Sequence, residues 1–326
     1  MFTTEYEQFV AQFTDKLQQN MEPGVELTRS TCKKVNEGEV DSLVVKWPDS
    51  PVAPTVYFKD IYPKYVENNS IDDIAQVTAA QLLRAKKQAP ELPEISKESA
   101  QQNLYLVLIN QGNNAELLKN VPHEKINDLA AVARFRVSDE ASFLVTNDLC
   151  KNLKITSEEV LDMAYANLKP ENFECQNMNE VMKTIFKEQG MPDDYMEDVF
   201  SRECPIYVAS NKSRVDGATA MLSKDFMSKS YECIQQDFPE MMDLYVIGSS
   251  RHELLLIPDC SVDSIDSLRE MHCEVQSTEL SEADKLSESI YRYDSRTRQI
   301  TIAEDETRYE YEALEQEQVK QHKRIH

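Results

Sequence analysis

The segment Leu244-Tyr245-Val246-Ile247-Gly248-Ser249-Ser250-Arg251-His252-Glu253-Leu254-Leu255-Leu256-Ile257-Pro258 joins two apolar runs through a polar inset. Short apolar runs bounded by polar and turn-forming residues read as buried strands, so 244–247 and 254–257 form a strand pair. If the inset stays extended, Ser250 and His252 share one face, while Ser249, Arg251 and Glu253 share the other. If 248–251 is instead a tight turn, the serines cap backbone amides.

Working outward, strand pairs recur. Residues 25–35, 40–47 and 55–58 are β-rich, with Asn36-Glu37-Gly38 as a hairpin turn. Residues 104–109 are continuously apolar, and 128–137 with 141–145 read as two strands joined by Ser138-Asp139-Glu140. Further strands are expected at 206–210 and 217–222, and a closing hairpin at 289–293 with 299–302. Helical periodicity places Phe2, Tyr6, Phe9, Val10, Phe13 and Leu17 on one face, ended by Pro23-Gly24. It returns at 71–87, 115–119, 178–189, 224–236 and 264–275. Thr156 followed three residues later by Glu159 is a helix start, and that helix stops before Pro170. Pro90 and Pro93 mark a loop.

Hairpins outnumber strand–helix–strand crossovers, so the expected class is α+β, with mainly antiparallel or mixed sheets flanked by helices. Two subdomains are expected, 1–155 and 156–302, followed by a charged tail at 303–326 in which acids precede Lys320, His322, Lys323 and Arg324.

The chain has 326 residues, with 58 acidic against 35 basic side chains and a formal net charge of −23. Such a field argues against nucleic acid as a partner, because phosphate backbones are bound by clustered Lys and Arg. Seven widely spaced cysteines with no CxxC suit reduced thiols, several of them small buried hydrophobes. The start shows no basic, apolar leader pattern, and no apolar run reaches the ~20 residues that span a bilayer. The expectation is a cytoplasmic protein without a membrane partner.

The six glycines, at 24, 38, 112, 190, 217 and 248, cannot build GxGxxG or GxxxxGK[ST], so phosphate-loop and Rossmann nucleotide binding are excluded and no cofactor is expected. Nor is a metal: there is no HExxH, and Cys260, His272 and Cys273 include adjacent helical residues that point about 100° apart. Gly248-Ser249-Ser250 is not a nucleophile elbow, since GxSxG requires glycine where the chain has His252.

Two candidate clusters remain. In the inset, Ser250 and His252 can form a nucleophile–base pair with Glu253 beside them, or Arg251 pairs with Glu253 and the segment is a satisfied turn. Ser249 and Arg251 are candidate binding residues. Around the strand at 104–109 lie Asn110, Asn114, Glu116, His123 and Asp128. The asparagines suit strand-end turns or binding, and His123 with Asp128 forms an oriented imidazole if the loop folds back.

Leu108-Ile109-Asn110, Asn114-Ala115-Glu116-Leu117-Leu118, Val121-Pro122-His123, Asp128-Leu129-Ala130, Gly217-Ala218, the Ser249-Ser250-Arg251-His252-Glu253 run, and Leu286-Ser287 with Tyr291-Arg292-Tyr293-Asp294 resemble the domain-of-unknown-function family numbered 5688. The resemblance runs from the N-terminal helix to about residue 300. It implies a bacterial, Firmicutes protein of the cytoplasm with a shared fold, and implies no activity. The family is expected to carry proline before the two serines, where this chain has Gly248, which loosens that turn. The function expected on these grounds is a non-catalytic binding or adaptor protein that contacts another protein. The alternative is a hydrolase or transferase with its site near Ser250, His252 and Glu253, joined by His123 and Asp128. An acidic mimic of nucleic acid needs its charge in two rows, and here it is dispersed.

Overall fold

The computed structural model describes residues 4–50, 53–67, 69–88, 95–138, 141–192, 199–200, 204–278 and 280–303. Phe2, the loop at Pro90 and Pro93, Asp139-Glu140 and the tail from 304 lie outside them. In chain order the elements are α1 (Thr4–Gln19), β1 (Glu26–Lys34), β2 (Gly38–Lys46), β3 (Thr55–Tyr57), α2 (Phe58–Val66), α3 (Ile71–Gln88), α4 (Lys97–Asn103), β4 (Leu104–Asn110), α5 (Ala115–Leu118), β5 (His123–Ile126), β6 (Leu129–Arg136), β7 (Ser142–Leu144) and α6 (Asn147–Leu153). There follow α7 (Ser157–Ala166), β8 (Phe173–Asn177), α8 (Met178–Glu188), β9 (Tyr207–Asn211), α9 (Lys224–Asp237), β10 (Leu244–Ser250), β11 (Glu253–Pro258), α10 (Ile265–Thr278), β12 (Ile290–Asp294) and β13 (Gln299–Ile302). The α+β class with antiparallel pairing is the one expected.

The chain gathers into two compact units. The first comprises Met1–Asn103, Asn113–Val121 and Phe135–Ile155. Its sheet has the order β1-β2-β3. The predicted apolar face of α1 is buried at Tyr6, Phe9, Val10, Phe13 and Leu17. These side chains share a core with Leu43 and Val45 of β2, Trp47, and Phe58 of α2. The turn of the β1–β2 hairpin holds Asn36 at φ 63°, a left-handed conformation that asparagine tolerates.

The second unit comprises Leu104–Gly112, Pro122–Arg134 and Thr156–His326. Its six-stranded sheet has the order β13-β12-β10-β11-β9-β8, so the strand pair of the quoted segment lies at the centre. α7 starts as expected: Thr156 Oγ1 accepts the Glu159 N–H at 3.1 Å, and the Glu159 carboxylate accepts the Thr156 N–H at 2.8 Å.

Several local readings change. Residues 217–222 form a buried 3-10 helix rather than a strand, because their small apolar run carries no polar alternation and enters from Asp216 at φ 56°. The 121–128 loop contains a strand, β5, whose charged residues conceal its period. β8, α4 and α6 were likewise not foreseen. The signal for α6 was Thr146, whose hydroxyl accepts the Leu149 N–H at 3.2 Å.

β10 also runs farther than its apolar residues. Ile247 pairs with Leu255 and Ser250 with Glu253, so one extra residue is bulged between them. Only Arg251 and His252 lie outside the strands. Gly248 is therefore in a strand rather than a loosened turn, buried beneath Leu286.

Candidate functional site

The inset folds into a knot of hydrogen bonds at the β10–β11 turn. The bulge ends simple alternation, so Ser250 Oγ accepts the backbone N–H of His252 at 3.0 Å. Ser249 Oγ donates to Glu253 at 3.2 Å, joining two residues expected on one face. Arg251 reaches Asp216, with Nε 2.8 Å from Oδ1, rather than Glu253. The Asp216 side chain is only 5% exposed, so this pair is shielded from bulk water.

His252 is held from both sides of its ring. Nδ1 accepts the backbone N–H of Asp216 at 3.1 Å, and Nε2 lies 3.0 Å from Asp284 Oδ1. An acceptor at Nδ1 places the proton of the neutral ring on Nε2, which then donates to the carboxylate. Burial pushes the Asp284 carboxyl upward, but bonds from Ser281 and His252 outweigh it and leave the group below its ordinary range. The main chain closes the knot. The Arg251 N–H donates to the Asp284 carbonyl at 2.8 Å, the Ala218 N–H to the Arg251 carbonyl at 3.2 Å, and Ser210 Oγ to the His252 carbonyl at 2.7 Å.

The second cluster is divided. Asn110, His123 and Asp128 fall in the second unit, whereas Asn114 and Glu116 fall in the first. Asn114 is buried, and its amide is paired head-to-tail with the hairpin turn: Oδ1 accepts the Asn36 N–H at 2.8 Å, and Nδ2 donates to Asn36 Oδ1 at 2.7 Å. Asn110 ends β4. His123 pairs with Val132 at the open end of the β5–β6 hairpin, while Asp128 sits in its turn, beyond the Ile126–Leu129 pair. Three strand residues separate the two positions, roughly 10 Å along the hairpin. The fold does not bring them together.

Asp128 has other company. Its Oδ1 accepts the Tyr291 hydroxyl at 2.6 Å, and its Oδ2 accepts Ser287 at 2.5 Å and Ser289 at 3.1 Å. The Ser287 carbonyl in turn lies 2.7 Å from His272 Nε2 and 2.8 Å from Gln276 Nε2. Burial lowers the pKa of His272, which favours a neutral ring donating to that carbonyl. Cys260, Cys273 and Cys233 are exposed and form no disulfide; Cys150 alone is fully buried, fewer than expected. Among the described residues no three His, Cys, Asp or Glu side chains converge as metal ligands, and no helix is long and apolar enough to cross a membrane.

Residues 6–295 match the model of a family of unknown function, DUF5688. The chain belongs to DUF5688. Neither a curated protein nor a solved structure matches it. Within this DUF5688 fold, sequence reasoning missed Asp216 and Asp284, the two acids that fix Arg251 and His252. Their only local signal was Asp216 beside Gly217, a turn-forming pair. His252→Ala is expected to cost about 1–3 kcal/mol in urea unfolding, because the Asp216 amide and Asp284 carboxylate both lose a partner. An unchanged midpoint would mean that water replaces the ring.

An open depression of the second unit lies elsewhere. A cleft of about 550 Å³ is bordered by the acids Glu240, Asp259, Asp263 and Asp266, with Arg292 at its side. Arg292 Nε donates to the buried Asp243 at 2.9 Å, so its charge is compensated. Asp259 is spent on backbone, accepting the N–H groups of Met242 at 3.0 Å and Asp243 at 3.1 Å. The Met242 carbonyl accepts the Tyr231 hydroxyl at 3.0 Å. Its backbone is thus pinned at both ends while its side chain stands 62% exposed at the cleft.

Proposed function

We propose that this DUF5688 protein is a non-catalytic binding or adaptor protein of the bacterial cytoplasm, and that the acidic cleft receives a basic, partly apolar segment of another protein. The observation that carries the reading is the exposed Met242 side chain on a pinned backbone, beside carboxylates whose only neighbouring cation among the described residues is already paired. An exposed apolar side chain with an acidic surround complements a Lys- or Arg-bearing segment that also carries apolar residues. The seven cysteines, none in a disulfide, suit a reducing compartment.

The test is a titration of the full chain with a fluorescent peptide of alternating lysine and leucine. Saturable binding that weakens with salt is expected, with affinity about tenfold lower when Glu240→Lys is combined with Asp263→Lys. Equal binding of a glutamate–leucine peptide would sink the reading.

The alternative, a hydrolase or transferase near Ser250, His252 and Glu253, draws support from the bond between His252 and Asp284. Against it, Ser250 Oγ accepts a backbone amide and His252 Nδ1 accepts another. A base at Nδ1 would have to release the Asp216 N–H first. Labelling of the chain by a fluorophosphonate, lost in Ser250→Ala, would favour this alternative.

A further inference from the structure

A second depression in the same unit, of about 230 Å³, lies between the start of α9 and the β12–β13 turn. Its interior is apolar: Met221, Met227 and Tyr293 are buried and Ile300 adds a side wall. The Tyr293 hydroxyl is already engaged with Ser228 at 3.0 Å. Among the described residues the only charged groups lining the cavity are Lys224 and Arg298, and no acid lines it. In a chain with 58 acids and 35 bases, that runs against the composition.

The two cations stand on fixed backbone. Lys224 opens α9, whose cap Ser223 accepts the Phe226 N–H at 3.4 Å. Arg298 is held at φ 55°, with its N–H donating to the Asp294 carbonyl at 2.8 Å, while the Asp294 carboxylate accepts the Arg296 and Thr297 amides at 2.9 and 2.8 Å. Neither Lys224 nor Arg298 is ion-paired with a carboxylate among the described residues. An apolar cavity lined by two exposed cations, neither ion-paired among the described residues, fits a ligand with an apolar body and an anionic head. The first-turn amides of α9 add positive potential on the same side.

We propose that this cavity binds a small organic carboxylate, its apolar part among Met221, Met227 and Tyr293 and its carboxylate between Lys224 and Arg298. An apolar cavity of about 150 Å³ holds benzene, so this one takes a body of roughly nine heavy atoms. Planar carboxylate recognition by Arg accounts for the choice of head group.

Phenylacetate is a suitable probe, followed through the methyl resonances of carbon-13-labelled methionines in the full chain. Met221→Leu and Met227→Leu assign the two reporters. Saturable shifts of those two resonances are expected, with binding about tenfold weaker for the neutral phenylacetamide. A similar loss is expected for Lys224→Gln combined with Arg298→Gln, whose ligand-free spectrum should otherwise match the wild type. The absence of saturable shifts, equal binding of the amide, or undiminished binding by the double variant would each overturn the proposal. Because the acidic cleft shares no residue with this cavity, failure here leaves the peptide-binding reading untouched, and the reverse holds.

Discussion

Gly217→Ala is expected to lower the stability of the second unit by about 3 kcal/mol, the upper part of the usual range for overpacking. A Cβ at this position would lie under 3.0 Å from Ser210 Oγ, the His252 carbonyl oxygen and the Asn211 amide nitrogen. Two of those three atoms are backbone. They belong to β9 and to the β10–β11 turn, which the Ala218 N–H and Ser210 Oγ already hold in place. Nothing flexible can yield. The sign is informative, since Gly→Ala at an unstrained site raises stability by limiting the unfolded chain. A unit of this size should lose about 2–4 °C of melting temperature per kcal/mol, giving a fall of roughly 6–12 °C by calorimetry. Removing the Ser210 hydroxyl in the same chain should not rescue it, because the His252 carbonyl remains. Gly248→Ala provides the contrast. Its new Cβ meets the Leu286 side chain, whose Cδ2 at 2.9 Å can rotate away, so a smaller loss is expected. Equal melting temperatures for wild type and Gly217→Ala would refute the close approach.

That contrast also shows which parts of the molecule could be read in one dimension. The four-residue apolar runs around the inset predicted adjacent strands, and they lie paired at the centre of the six-stranded sheet. The face of α1 and the capping box of α7 were legible for the same reason: each depends on residues within one or two turns. The knot at the β10–β11 turn is different. Arg251 and Asp216 are 35 positions apart, and His252 and Asp284 are 32 apart. Nothing in local spacing selects Asp216 from 58 acids. The bulge between Ile247 and Ser250 also upset the simple division into faces, since a single extra residue shifts every side chain beyond it. For the cleft, the decisive property is the outward Met242 side chain. Its exposure depends on carbonyl and amide partners supplied by Tyr231 and Asp259, which the apolar residue alone could not reveal.

These distant pairings give the inset a structural part beside the chemistry its residue types suggested. Serine, histidine and acid occur together, yet the hydroxyl of Ser250 accepts an amide and both ring nitrogens of His252 are occupied. In the structure these groups hold the β10–β11 turn against the 211–222 loop. The same residue types serve either purpose. Ser250 Oγ accepts the His252 N–H and keeps its own proton to donate, whereas the lone pair of His252 Nδ1 is taken by the Asp216 amide.

Asp128→Ala is expected to lower the stability of the second unit by about 3–4 kcal/mol. One carboxylate collects the hydroxyls of Ser287, Ser289 and Tyr291, which lie 159, 161 and 163 positions away in sequence. Hydrogen bonds to a charged acceptor contribute about 1.5–3 kcal/mol each, and the sum is reduced because the three share one acceptor. Ser287 and Tyr291 are buried, so water cannot readily replace the lost partner. Asp128→Asn keeps an accepting oxygen and should lose less. Both are measured by urea unfolding, and a wild-type midpoint in Asp128→Ala would exclude this role. The alkaline limb gives an independent check. Burial first, and the Asp128 carboxylate second, hold the Tyr291 pKa far above the ordinary value near 10. A group raised in the folded state contributes stability that is full below its unfolded pKa and lost as pH rises toward the folded one. Stability should therefore hold from pH 7 to about 10 and decline above, where the unfolded tyrosine ionises and the folded one does not. Tyr6, Tyr165 and Tyr207 are raised as well and steepen that decline. Tyr291→Phe removes one titrating group, so its decline should be shallower by up to about 1.4 kcal/mol per pH unit. Parallel alkaline limbs for wild type and Tyr291→Phe would show that this hydroxyl ionises as freely in the folded chain as in the unfolded one.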